Sequence, residues 1–377
     1  MQTAGIYIHI PFCKVKCIYC DFYSITEREH QREHFTEMLC REIELYRNKN
    51  QFEFKINTIF IGGGTPSLLT NKQLDSILNC LAKNYPMNNI LELTMEVNPG
   101  EAPKEKLAGF RKSGVNRLSM GFQSLQPKLL EFLTRSHSKE NALETYNTAR
   151  DVGFENVNID LIFSIPNQTL NMLEDDLKLI TDLNPNHISA YSLTVESGTE
   201  LNKLVKKKQI IMPKDESDLE MLLFIRDFLK IKNYSDYEIS NFSKPGFECN
   251  HNLHYWNTEP YLAFGPSAHG FNMRNRWWNV RSLDEYLKRL DKFKNPINSN
   301  EKTDYSSLFN EVLLNGLRLK NGIQIEKLNK INPNWKTDLK IGLKRWNGKL
   351  DLNENSLQLT HEGIPFLDSI LPDLFID

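Results

Sequence analysis

The chain has 377 residues, 40% of them apolar and 25% charged, with a formal net charge of −2. This composition excludes a disordered chain, and the near-neutral balance gives no global attraction to nucleic acid or an anionic membrane. Six scattered cysteines are too few for a secreted disulfide scaffold. No basic segment followed by an apolar run opens the chain, and no stretch reaches the roughly 18 apolar residues of a membrane span, so a reducing, cytoplasmic setting is expected.

The first predicted strand, 6–10 (IYIHI), runs into PFCKVKCIYCDFYS, where Cys13, Cys17 and Cys20 stand at C-x3-C-x2-C spacing. Phe35, Met38, Leu39, Ile43 and Tyr46 then recur at helical spacing. A second strand over 57–61 ends in Gly62, Gly63 and Gly64, and Leu74, Ile77, Leu78 and Leu81 mark the next helix. Further strands are predicted over 91–97, 115–120, 156–163 and 187–193, and such alternation builds a parallel sheet. Leu91, Leu93, Met95 and Val97 face away from Glu92, Thr94 and Glu96. Likewise Val157, Ile159, Leu161 and Phe163 face away from Asn158 and Asp160. Central strands of an ordinary parallel sheet are apolar on both faces. Polar groups kept on one face point instead to a barrel with a helix-covered exterior and a site inside. Six βα units fall short of the eight of a closed barrel. The expected fold is α/β, a partial (β/α)6 TIM-type barrel over residues 1–236.

Beyond 236 the alternation stops. Residues 237–300 read as a connector, loop-heavy and rich in Asn, Pro, Gly and aromatics over 241–280. Residues 301–377 read as helices followed by two alternating runs about a turn at Asn353–Asn355, a mainly helical, winged-helix-like C-terminal domain. That shape raises DNA binding, but the region holds 10 Lys and Arg against 11 Asp and Glu and so lacks a basic footprint. Cys40 and Cys80 lie among apolar helical residues and are read as packing.

Three thiolates without a fourth ligand have few uses. Structural zinc closes its shell with four ligands, usually as two separated pairs, and no second pair follows here; His9 is near, but on a strand it can simply pack. A cubane iron–sulfur cluster on three cysteines leaves one iron open to an exchangeable ligand. The glycine triplet lets backbone approach a ligand closely, although on its own a turn is the simpler reading. Glu96, Gln123, Arg135 and Asp160 also have plain readings, as a loop cap, a solvated charge or a lysine partner. Carboxylates nevertheless suit hydroxyl and ammonium groups, and arginine suits a carboxylate in fork geometry.

The three-cysteine motif, with Tyr19 just before its last cysteine, resembles the radical S-adenosylmethionine (SAM) superfamily. The resemblance implies a [4Fe-4S] cluster on Cys13, Cys17 and Cys20, with the SAM amino and carboxylate groups on the open iron. It further implies one-electron cleavage of SAM to methionine and a 5′-deoxyadenosyl radical, and an electron donor wherever the cluster is reduced. SAM contacts are implied at Tyr7, Tyr19, Gly62, Gly63, Gly64, Thr65, Glu96, Gln123, Arg135 and Asp160.

IYIHIPFCKVKCIYCDFYS, GGGTPS, EVNPGE, GVNRLSMGFQS and NIDLIFSIP together resemble the oxygen-independent coproporphyrinogen III oxidase group over essentially the whole chain. The coproporphyrinogen dehydrogenases of that group carry an additional cysteine two residues after the last cluster ligand, and Cys20-Asp21-Phe22 has none there. They also have an N-terminal extension that reaches into the active site, which is not expected here with six residues ahead of Tyr7. Both departures weaken a decarboxylase reading, which stands as the alternative. CNHNLHYWN (249–257) carries H-N-x-x-Y-W as His251, Asn252, Tyr255 and Trp256, and this resembles the group's heme-chaperone branch. Imidazole can ligate heme iron and flat aromatics offer π surface to a porphyrin, with Cys249 and His254 as other ligands. The plainer reading is an aromatic piece that locks the connector onto the barrel. The resemblance thus implies heme beside the cluster and SAM, and an unidentified heme-accepting protein as partner. Membrane contact is expected only through that acceptor, and no nucleic acid is expected. One loop departs from the group: Ser164 replaces glycine in Gly-x-Pro, and because serine disfavours positive φ the backbone there is expected to differ.

Overall fold

The computed structural model describes residues 2–49 and 54–376. Six strands run parallel and in sequence order: β1 (Thr3–Ile10), β2 (Lys55–Gly63), β3 (Glu92–Val97), β4 (Arg117–Gln123), β5 (Asn156–Phe163) and β6 (His187–Ser192). The helices Arg32–Lys49, Asn71–Asn84, Lys104–Lys112, Lys139–Asp151 and Leu170–Asp182 lie between them in sequence. The Asn71–Asn84 helix begins with a capping box, Thr70 and Gln73 each accepting the other's backbone N–H, which satisfies two donors left over at a helix start. Ile6, Ile8, Ile59, Ile61, Met95, Leu118 and Ile159 form one apolar cluster with Phe35, Leu39, Leu74 and Ile77 from the helices, all fully buried. Each such aliphatic side chain contributes about 2 kcal/mol of burial. Leu91 differs from expectation: it precedes β3 and is 65% exposed.

The segment after residue 236 is not the loop-heavy connector its composition implies. β7 (Ser235–Asp236) and β8 (Asn241–Ser243) extend the sheet antiparallel beyond β6. β9 (Tyr261–Phe264) pairs parallel with the free edge of β1, and β10 (His269–Phe271), β11 (Asn275–Asn279) and β12 (Ile297–Lys302) follow antiparallel, giving this sheet twelve strands among the described residues. Most of these strands are too short to display alternation, and Asn and Gly are depleted in ordinary strands.

The C-terminal region has its own core. The helix Tyr305–Gly316 is followed by β13 (Ile323–Gln324), the helices Ile325–Ile331, Trp335–Asp338 and Lys340–Arg345, and a hairpin of β14 (Leu350–Leu352) and β15 (Ser356–Leu359). Phe309, Leu313, Leu328, Trp335, Leu357 and Ile370 are fully buried against one another. The hairpin turns at the expected place because the Asn353 side-chain oxygen accepts the backbone N–H groups of Asn355 and Ser356, both at 2.9 Å. Among the described residues no helix is long and apolar enough to cross a membrane.

Candidate cluster and cofactor site

The cysteine loop leaves the end of β1 and is stitched to its surroundings through the backbone. Cys13 N–H donates to Ile25 O at 2.8 Å, and Ile25 N–H donates back to Pro11 O at 2.7 Å. The loop after β2 docks beside it, with Gly64 N–H on Ile10 O and Thr65 N–H on Phe12 O. A Cβ at Gly64 would sit 2.7 Å from Phe12 O, and one at Gly63, where φ is +112°, would sit 2.6 Å from the His9 ring. Only glycine permits that approach.

All three cysteines are half-buried free thiols. Thr65 Oγ1 donates to Cys13 Sγ at 3.4 Å, and Arg135 Nη1 to Cys17 Sγ at 3.7 Å. Burial raises the Cys13 thiol, with the Thr65 hydrogen bond opposing, and pushes Cys20 up to about 11, with the Lys16 charge opposing. Both thiols are therefore protonated near neutrality and would lose protons to bound iron.

Inside the barrel, the inward residues of β3, β4 and β5 form rungs. Thr94 pairs with Arg117, Glu96 with Ser119, Ser119 with Asn158, and Gly121 with Asp160. A cavity of about 630 Å³ opens over these rungs. Eight of the ten expected SAM contacts line it: Tyr19, Gly63, Gly64, Thr65, Glu96, Gln123, Arg135 and Asp160, with Cys20 at its edge. Gly62 and Tyr7 stand outside the wall. Gly62 has no room for a Cβ against Phe60 and Glu96, and the Tyr7 hydroxyl donates to His9 Nδ1 at 3.0 Å. His9 Nε2–H donates in turn to Tyr23 O at 2.7 Å, which fixes the ring's tautomer.

Glu96 Oε2 accepts Gly63 N–H at 3.0 Å. Burial, then the charge of Asp160, pushes Glu96 up to about 8. Asp160 is also raised by burial; it accepts from Asn158 Nδ2 at 2.7 Å and Ser119 Oγ at 3.2 Å. Behind it runs a directed chain: the Tyr237 hydroxyl donates to His187 Nε2 at 2.8 Å, and His187 Nδ1–H to Asn158 Oδ1 at 2.6 Å. His187 is held neutral first by burial and then by Arg117.

Arg135 holds its position through Nη2, which donates to Asn98 Oδ1 and Gly121 O, both at 2.8 Å, while its buried Nε has no partner among the described residues. A thiol triad, a glycine cradle, two carboxylates and a guanidinium with an unused donor fit a cluster carrying an amino-acid-like ligand.

The H-N-x-x-Y-W residues take a different place. They form the short helix Asn250–Trp256, whose start is held by Glu92 on β3: Asn250 N–H and His251 N–H donate to its carboxylate at 2.9 and 3.1 Å. His251 is buried against β1 and β2, with Nδ1 bonded to Thr58 Oγ1 at 2.8 Å and Nε2 to the Tyr255 hydroxyl at 2.9 Å. His254 is spent likewise on Glu259 and Asn57. Cys249 is fully buried, and its thiol donates to Glu92 at 3.4 Å. Trp256 packs under the Arg318 guanidinium, 4.8 Å from ring centre. Of the five residues named as heme candidates, Asn252 alone lines the cavity.

Asn98, Arg117, Ser119, Asn158 and His187 were not singled out by motif. Extending the two-residue alternation of β3 and β5 into Arg117-Leu118-Ser119 would have placed two of them inside.

Residues 7–180 match the family model described as the radical SAM superfamily. The fold is that of the Escherichia coli coproporphyrinogen III oxidase HemN, a radical SAM enzyme, with TM-score 0.86 over 99% of this chain and 90% of that one at 22% identity. Residues 7–180 are a radical SAM domain, and members of that superfamily carry a [4Fe-4S] cluster and SAM. Closer relatives narrow this. It is 33% identical to the Bacillus subtilis heme chaperone HemW over 95% of both chains, and 34% identical to the Lactococcus lactis heme chaperone HemW over 85% of this chain and 83% of that one. The zebrafish mitochondrial radical S-adenosyl methionine domain-containing protein 1 is 31% identical over 99% of this chain and 87% of its own. Within the superfamily, the chain belongs to the HemW family.

Proposed function

We propose that the protein binds heme and hands it to an acceptor protein, with a [4Fe-4S] cluster on Cys13, Cys17 and Cys20 and an exchangeable SAM in the cavity. The observation that carries this reading is near-full-length similarity to relatives named heme chaperones. The segment Cys20-Asp21-Phe22, which lacks the further cysteine that coproporphyrinogen dehydrogenases resembling this chain have two residues after the last cluster ligand, supports it. In this reading 1–236 is the radical SAM core, 237–300 carries the heme motif, and 301–377 is the winged-helix-like domain. The partners are an acceptor and an electron donor, in the cytoplasm, with the membrane met only through the acceptor.

The chain's residues divide the work. The cluster supplies one-electron reduction, and SAM the bond it breaks. Glu96 would accept an N–H of the SAM amino group held on the open iron. Asp160, held by Ser119 and Asn158, would receive ribose hydroxyls, and Arg135, whose Nε–H is unused, would hold the SAM carboxylate. Heme contact begins at Asn252. His251, Tyr255, Trp256 and Cys249 are presented only when the helix Asn250–Trp256 moves off Glu92.

Anaerobic reconstitution followed by hemin titration tests this. Saturable binding near one hemin per chain, with no conversion of coproporphyrinogen III to protoporphyrinogen, is expected. Conversion without stable heme binding would replace the reading with the dehydrogenase alternative.

A further inference from the structure

Arg117 belongs to no function described above. It is 1% exposed, on the inner face of β4, and it lines the same cavity one rung below Glu96 and Ser119. One rung is two strand residues, about 6.6 Å. Its Nε has no hydrogen-bond partner, and no ion pair within 4 Å includes it among the described residues. Burial works to lower its pKa, but the surrounding Cys249, Glu92, Tyr237 and Asp160 hold it above the ordinary value, so it stays cationic.

The nearby carboxylates are spoken for. Glu92 accepts from the backbone of Asn250 and His251 and from the Cys249 thiol. Asp160 accepts from Asn158 and Ser119. A buried guanidinium left without a close anion is costly unless something else brings one.

The cavity fits a particular visitor. Phe60, Ile162 and Leu193 give it apolar wall, and Phe22 and Tyr191, which are 62% and 40% exposed, add aromatic surface. Asn252 and Arg117 give it a polar floor. That combination suits a flat apolar body carrying a short carboxylate arm, the chemistry of a propionate-bearing porphyrin.

We propose that Arg117 anchors a carboxylate of the ligand that enters the cavity beside SAM, a heme propionate if the heme reading above holds, on which this inference rests. The fork of the guanidinium receives the two carboxylate oxygens. Arg117 is thus a specificity residue, distinct from Arg135, which serves SAM.

The test titrates hemin and hemin dimethyl ester into the cluster-loaded, SAM-saturated full chain, followed by Soret absorbance. The native protein should bind hemin at least tenfold more tightly than the ester. Arg117→Gln should weaken hemin about tenfold, leave the ester unchanged and keep the iron content, and Arg117→Lys should recover part of the loss. Equal affinity for hemin and ester in the native protein would overturn the anchor while leaving heme binding intact. So would a variant that weakens both ligands alike. Absence of hemin binding altogether would remove the heme reading, and the anchor with it. The comparison of two ligands on the native chain decides the matter even if the Gln variant fails to fold.

Discussion

The interior of the barrel and the core of the C-terminal region are both buried, yet they follow opposite rules. Around Trp335 the neighbours are apolar, and the indole N–H is satisfied by Asn329 Oδ1 at 2.8 Å. Inside the barrel stand Glu92, Arg117, Asn158 and His187, all nearly inaccessible, with Nε of Arg117 and Arg135 unpaired among the described residues. Apolar burial of the first kind stabilises a fold, whereas unpaired buried charge of the second kind costs stability. The difference teaches where to look for ligands. A fold tolerates such groups only where something else arrives to meet them.

The sharpest way to break the comparison is to empty the cluster site. Replacing Cys13, Cys17 and Cys20 by alanine should take reconstituted iron from about four atoms per chain to nearly none. Because these side chains lie in a half-buried loop, the melting temperature of the cluster-free chain should move by only about 2 °C. A collapse of stability would place the thiols in the folding core instead.

Trp335→Ala attacks the other region. It should cost about 4 kcal/mol, loosen the C-terminal region to proteolysis, and leave cluster binding intact. Loss of iron in that variant would mean the two regions unfold as one.

The third test is a matter of pH. Glu96 titrates near 8 in the folded chain against an ordinary value of 4.5. Its neutral form therefore stabilises the cofactor-free fold, fully below pH 4.5, and that contribution is lost as pH rises through 8. Between pH 5 and 8 the native chain should lose roughly 2 kcal/mol more than Glu96→Gln in urea titrations, with cavity water moderating the effect. Parallel pH dependence of the two proteins would contradict the assignment.

Smaller still is Ser164→Gly. Ser164 adopts φ +58°, so the loop keeps the left-handed conformation that glycine favours, against the expectation of a locally different backbone. Glycine there should stabilise the chain by about 1 kcal/mol, read as a small rise in melting temperature. No change would mean that the buried hydroxyl, 4.0 Å from Met221 Sδ, compensates for the strain.

The parts of the fold legible in sequence were those with period. The six parallel strands and the C-terminal hairpin carry alternation long enough to read, and Glu96 and Asp160 were found by the face they occupy. β8 to β11 span three to five residues each, so no periodic signal reached the sequence. The motif around His251 was legible as a motif but not as geometry. Nothing in H-N-x-x-Y-W states that both imidazole nitrogens are taken by Thr58 and Tyr255, because Thr58 lies on a strand nearly 200 residues away. Arg117 was passed over because an arginine among apolar strand residues looks like an edge charge until pairing puts it between Thr94 and Asn156.

The position of β1 bears on how the chain is made. It lies between β2 and β9, so one of its edges waits for Tyr261–Phe264, about 200 residues later in synthesis than β2. At 5–20 residues per second the ribosome needs on the order of ten to forty seconds to deliver that partner. During that interval an apolar strand edge stands open to the wrong neighbours. The nascent chain is therefore expected to need chaperone protection until β9 emerges, and stalled chains ending before residue 261 should aggregate where those ending beyond about residue 310, clear of the exit tunnel, should not.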